Sequence, residues 1–165
     1  MTTTGPDKPT LTQQQSRIAA RLVYGPSRAM IAGQVWLSVA AVTSHLNAVR
    51  KKMGCPGSSP AVLVHALLTA REVPPPASIG PAPDFTEHDR TVIRAIAQHT
   101  RQQDIATAIG VPAKDVRTRI RAVVAKGHAR NATHLVGLAH IWGILGDTQP
   151  PRPTEAAAPM AGRPR

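Results

Sequence analysis

Shifting the chain by 74 residues lays its second half on its first with no insertion or deletion, and this register constrains the fold more than any other feature. Leu11-Thr12 falls on Phe85-Thr86, Ile31-Ala32 on Ile105-Ala106, Val42 on Val116, Ala48-Val49 on Ala122-Val123 and Lys52 on Lys126. Leu22 and Leu46 meet the apolar Ile96 and Ile120. Most of the matched positions are those at which a helix has to bury a side chain, so the pattern describes a repeated fold unit rather than low complexity. A length of 165 residues fits one ordinary domain or two very small ones, and the repeat selects the second.

Each unit reads as four helices, so the expected fold is all-α. In the first unit Thr12 caps a helix over 13–23, Gly25-Pro26 breaks the chain, and a short helix follows over 27–35. Ser38 caps a longer helix whose Val39, Val42, Leu46, Val49 and Met53 recur every three or four residues and form one buried stripe. Gly54, Pro56 and Gly57 end it, and Ser59 opens a fourth helix carrying Val62, Leu63, Ala66, Leu67 and Ala70. The second unit predicts helices over 87–98 (capped by Thr86), 102–109, 113–126 (around Val116, Ile120 and Val123) and 133–145. Pro112 stands in the aligned cap position of Ser38, where a missing amide is tolerated because early helix amides have no intrahelical partner.

Pro74, Pro75 and Pro76, followed by Gly80, Pro81 and Pro83, cannot sustain a helix. They predict a semi-rigid, extended linker over 74–84 between a first domain over 11–73 and a second over 85–146. Residues 1–10 read as a disordered arm, and the Pro-, Ala- and Arg-rich residues 147–165 as a disordered tail.

Twenty Lys/Arg against nine Asp/Glu give a net charge of +11, shared between the units at +6 for residues 11–73 and +5 for residues 85–146. A field of that sign draws polyanions, of which nucleic acid is the commonest in a cell. Only Tyr24, Trp36, Phe85 and Trp142 carry large rings, which argues against an aromatic-lined cofactor pocket. Cys55 is the single cysteine, so an intrachain disulfide and a thiolate-rich zinc site are both excluded. No apolar run approaches a membrane span and no signal-peptide pattern opens the chain, which leads us to expect a soluble cytoplasmic protein associated with the nucleoid, with no membrane partner. The Asn131-Ala132-Thr133 triplet has the form of a glycosylation acceptor but no standing in such a compartment.

A short helix, a tight turn and a longer amphipathic helix with a polar outer face describe helix-turn-helix geometry, in which the second helix enters the major groove of DNA. The first unit offers Ala40, Thr43, Ser44, Asn47, Arg50 and Lys51 on that face. Thr43, Ser44 and Asn47 are placed to approach base edges, with Arg50 and Lys51 placed for phosphate. The second unit offers Lys114, Arg117, Thr118 and Arg121, of which Arg117 and Arg121 are candidates for bidentate reading of guanine. The difference between the faces implies unlike half-sites, or one reading unit beside one anchoring unit. The seven histidines form no ligand cluster or acid-base pair, Cys55 lies in a Gly/Pro turn, and no glycine-rich phosphate loop is present. No catalytic residue, metal or cofactor is therefore expected.

Residues 11–70 resemble the LuxR/FixJ-type DNA-binding domain. The resemblance is carried by Leu11-Thr12, Gly25 and Ser27, Ile31-Ala32, then Ser38, Val42, His45 and Leu46, and finally Lys52-Met53-Gly54. It implies a four-helix domain whose third helix binds the major groove and whose fourth often makes a dimer contact. The sequence departs at Gln15, where the family usually has glutamate, at Ala41, where threonine is common, and at Thr43, where a basic residue is common. Residues 85–145 resemble the family more weakly, keeping Phe85-Thr86, Asp89, Ile105-Ala106 and Val116, with Arg119 in place of the histidine and His99 in place of the glycine. The expected function is sequence-specific binding of double-stranded DNA by a bacterial transcriptional regulator. The rivals are an architectural, replication or segregation factor and a protein-interaction adaptor. The two units could imitate a dimer within one chain, or the fourth helices could pair two chains as a homodimer.

Overall fold

The computed structural model describes residues 11–145, so the expected N-terminal arm and C-terminal tail lie outside the described residues. It is all-α, with eight helices among these residues. The first group comprises α1 (Gln13–Leu22), α2 (Arg28–Val35), α3 (Val39–Lys52) and α4 (Pro60–Thr69). The second comprises α5 (Glu87–Gln98), α6 (Gln102–Ile109), α7 (Ala113–Lys126) and α8 (Ala132–Ile141).

Local chemistry sets the helix starts. Thr12, Ser27, Ser38 and Ser59 each accept a hydrogen bond from an orphan amide of the first turn, and Pro60 occupies the first position of α4, where its missing N–H costs nothing. Helices α6 and α7 lie 74 residues after α2 and α3 at both ends, so the repeat seen in the sequence is a repeat of structure. The same polar tie recurs in each group: Lys52 Nζ donates to Gln15 Oε1 at 2.7 Å, and Lys126 Nζ meets Asp89 Oδ2 at 2.7 Å. Burial alone would raise the Asp89 carboxyl, but hydrogen bonds from Lys126 and Thr86 together with the Lys126 charge hold it below its ordinary value. Glutamine in place of an acid at position 15 therefore keeps the bond and loses the ion pair.

The proline-rich stretch is not an open spacer between the two helix groups. It is irregular, as its prolines require, yet Pro76 is buried, and the apolar cores of the two groups are one continuous cluster running from Leu11 to Leu145. A side chain on Gly137 of α8 would come within 2.9 Å of Pro76 and 3.0 Å of the Val23 carbonyl, so a glycine lets the strap and the end of α1 cross that helix. Trp142 Nε1 donates to the Gly80 carbonyl at 3.1 Å and pins the strap again.

The fourth helices pack on each other within the chain. Leu63, Val64 and Leu67 of α4 and Leu135, Val136 and Ala139 of α8 are all fully buried, and α4 also packs on α5. A homodimer through the fourth helices would need faces that are already covered. Helix α8 is shorter than the 133–145 expected: Gly143 takes a left-handed φ of 75° and the chain folds back so that Leu145 is buried.

Two polar ties cross the same seam. Asn131 caps α8 by accepting from His134 N at 3.0 Å, while its Nδ2 donates to the Gly25 carbonyl at 2.6 Å. The triplet with the form of a glycosylation acceptor thus contains a clamp between the groups. Asn131→Ala removes both bonds and is expected to lower stability by about 1–2 kcal/mol, read from the urea midpoint.

His65 of α4 and His140 of α8 stand 2.9 Å apart, Nδ1 to Nε2, an arrangement in which one neutral ring donates to the other. Burial lowers the pKa of both; burial and then the neighbouring His65 push His140 down to about 4. The folded state resists protons that the unfolded chain takes up near pH 6.5. Stability is therefore full above about 6.5 and falls as pH drops toward about 4. Replacing both histidines by glutamine should flatten that fall, as followed by thermal melts across pH.

Candidate nucleic-acid interface

Helices α2 and α3 are joined by the three residues Trp36, Leu37 and Ser38, and their axes turn through 102°. That angle lies in the range of helix-turn-helix units, where it presents the second helix away from the body of the domain. Ser38 Oγ accepts from Ala41 N at 3.0 Å and sets the start of α3, while Val42, Leu46 and Val49 anchor its inner face in the core. Helices α6 and α7 repeat the arrangement with Gly110 in the turn and Val116 and Val123 in the core.

The outer face of α3 carries Ala40, Ser44, Asn47 and Lys51, all exposed, with Thr43 half-buried. The Thr43 hydroxyl donates to the Val39 carbonyl at 3.0 Å, so its polar group is partly spent on the helix itself. Arg50 requires a correction. Helical spacing puts it on the outer face as a phosphate ligand, but only 4 % of it is exposed. Its Nε donates to the Ser58 carbonyl at 2.8 Å and its Nη1 to Asn47 Oδ1 at 3.2 Å. Burial, followed by the nearby charge of Arg28, lowers its pKa below that of an ordinary arginine. Position 50 follows Val49 at the inward edge of the helix, and the long stem carries its head group under the α3–α4 loop rather than out to solvent.

Lys114, Arg117, Thr118 and Arg121 of α7 are all exposed, together with Arg119 and Asp115. None of the four expected residues makes an ion pair among the described residues. Their charges are available to an external anion.

Sequence reasoning missed Trp36 and placed Val39 in the buried stripe of α3, which the structure corrects: Val39 is the first residue of the helix, and the buried stripe begins at Val42. Trp36 ends α2 in the left-handed conformation (φ 59°, ψ 43°) and is 89 % exposed, and Val39 opens α3 at 47 % exposed. The available signal was the repeat itself, since Trp36 falls on Gly110, which takes the same conformation at φ 72°.

Among the described residues no group of three or more His, Cys, Asp or Glu side chains stands where it could hold a metal ion, and no single helix is long and apolar enough to cross a membrane. Arg50→Ala leaves the half-buried Ser58 without the partner of its carbonyl and is expected to cost about 1–3 kcal/mol of stability. Lys51→Ala should stay within about 0.5 kcal/mol of the parent. Equilibrium denaturation of the two variants separates the structural arginine from the surface lysine.

Residues 9–65 match the family model described as GerE, bacterial regulatory proteins of the luxR family. That segment, which contains α1, α2, α3 and the first part of α4, is a LuxR-type helix-turn-helix domain, and the family is one of non-catalytic DNA-binding regulators. The match supports a DNA-binding regulatory role for this region. No curated protein and no solved structure matches the chain.

Proposed function

We propose that the chain is a sequence-specific double-stranded DNA-binding protein, a bacterial transcriptional regulator that carries two reading heads in one polypeptide. The observation that carries this reading is the LuxR-type α2–α3 unit over residues 9–65 together with its structural repetition by α6–α7 at the same 74-residue register. In this reading residues 11–73 and 85–146 are tandem helix-turn-helix domains, the second a divergent copy, and the protein works in the cytoplasm at the nucleoid.

The fourth-helix pairing that would otherwise join two chains joins α4 to α8 within one, so a single chain presents both heads to one bipartite site. Joining the heads covalently supplies the high effective concentration that dimerisation otherwise provides. Ser44, Asn47 and Thr43 of α3 approach base edges, as do Arg117, Thr118 and Arg121 of α7, while Lys51 and Lys114 hold phosphate. Arg50 leaves the set of direct contacts and acts through Asn47, whose amide it holds.

Selection from a randomised duplex library with the full chain tests the reading. One bipartite motif should be enriched and bound by one chain per duplex. Asn47→Ala or Arg117→Ala should relax preference at separate positions of the motif, at a cost of about 1–3 kcal/mol. Lys51→Ala should weaken all sequences alike and reduce the salt slope by about one. Salt-dependent binding to every duplex without enrichment would instead identify an architectural factor, and the absence of duplex binding an adaptor.

A further inference from the structure

The turn that precedes α3 holds its largest side chain in a conformation that glycine adopts more easily. Trp36 has φ 59° and ψ 43°, and Gly110, at the equivalent place in the second group, has φ 72° and ψ 33°. A left-handed backbone is unfavourable for a residue with a Cβ, and a ring that is 89 % exposed recovers almost nothing by burial. Neither the fold of the turn nor the core accounts for tryptophan at this position.

What surrounds it is also apolar and exposed. Val39, the first residue of α3, is 47 % exposed, and Ala40 beside it is exposed as well. This is the end of the helix that meets base edges in a helix-turn-helix complex. Further along the face, Thr43 has committed its hydroxyl to the Val39 carbonyl, leaving the methyl group to offer. Asn47 has its Oδ1 engaged by the buried Arg50, so what it presents are the two Nδ2 hydrogens. Methyl-bearing surface beside an amide donor is the complement of one base edge in the major groove, that of thymine, which shows a 5-methyl group next to the O4 acceptor. Helix α7 offers the opposite set, Lys114, Arg117 and Arg121, suited to the O6 and N7 acceptors of guanine.

We infer that the first reading helix selects thymines through their 5-methyl groups, with Trp36, Val39 and Ala40 as the apolar reading edge at its start and, one to two turns further on, the Thr43 methyl beside Asn47, which is positioned by Arg50 as the donor to O4. The inference rests on the proposed DNA-reading function. It assigns a methyl-dependent half-site to α3 and a guanine-dependent half-site to α7.

Replacing thymine by uracil removes the methyl and leaves every hydrogen-bonding group in place. The enriched duplex is remade with deoxyuridine in one half at a time and titrated with the full chain. In the half whose preference Asn47→Ala relaxes, affinity should fall roughly fourfold for each methyl removed. In the other half uracil should have no effect. The Trp36→Gly/Val39→Ser double variant takes at position 36 the residue that the second group already uses, and should fold, bind the duplex more weakly and lose most of the discrimination between thymine and uracil. Equal affinity for the thymine and uracil duplexes overturns the inference while leaving DNA reading intact. An undiminished uracil penalty in the double variant overturns the assignment to Trp36 and Val39. Failure to enrich any sequence overturns the DNA-reading function and this inference with it.

Discussion

The packing of α4 on α8 is the interaction on which the rest of the structure depends. Each four-helix group is small, and small units bury too little of their own apolar surface to stand comfortably alone. Helices α4 and α8 are apolar nearly all round, and such a helix has to be covered on more than one side. Each supplies the cover for the other, with Leu63, Val64 and Leu67 facing a run of consecutive buried residues in α8. The strap over Gly137, the Asn131 clamp and the His65–His140 pair all lie along this seam. Every one of them requires the two groups to keep one mutual orientation, and that orientation sets where α3 and α7 stand relative to each other.

Within that frame the two groups reach the same backbone geometry with different chemistry. The tie between the first and third helices of each group is a neutral hydrogen bond at Gln15–Lys52 and an ion pair at Asp89–Lys126. The left-handed residue in the turn is Trp36 in one and Gly110 in the other, and the second residue past the third helix is Gly54 in one and His128 in the other, both at positive φ. A hydroxyl caps α3, whereas Pro112 precedes α7 without a side-chain bond. Scaffold positions tolerate these exchanges because the apolar stripe and the turn geometry carry the fold. The exposed faces are under no such restraint, and it is there that methyl and amide groups on α3 stand against guanidinium groups on α7.

Much of this is legible in the order of the residues. The boundaries of α3, α6 and α7 follow from capping residues, breakers and three-to-four-residue spacing, all of which act over a few neighbouring positions. The polar outer faces follow from the same spacing. The place of Arg50 is not legible, because a basic residue at the edge of a stripe can turn either way, and its partner, the Ser58 carbonyl, is a loop atom that periodicity does not describe. The end of α8 escapes for a related reason: Trp142 and Leu145 continue the apolar pattern, but Gly143 breaks the helix and Leu145 returns to the core from outside it.

The sequence by itself determined an all-α chain, a gapless repeat, a short helix followed by a longer one at the same register in each half, and a strongly positive field, since each of these is written in local spacing or in simple sums of charge. Only the tertiary structure decided that the proline-rich stretch is a strap across a shared core and not a spacer. It alone placed the fourth helices against each other within one chain. The reason is that both facts depend on which apolar faces find one another across a long separation in sequence, and a buried face reads the same in sequence whether its cover comes from its own domain, from the neighbouring one or from another molecule.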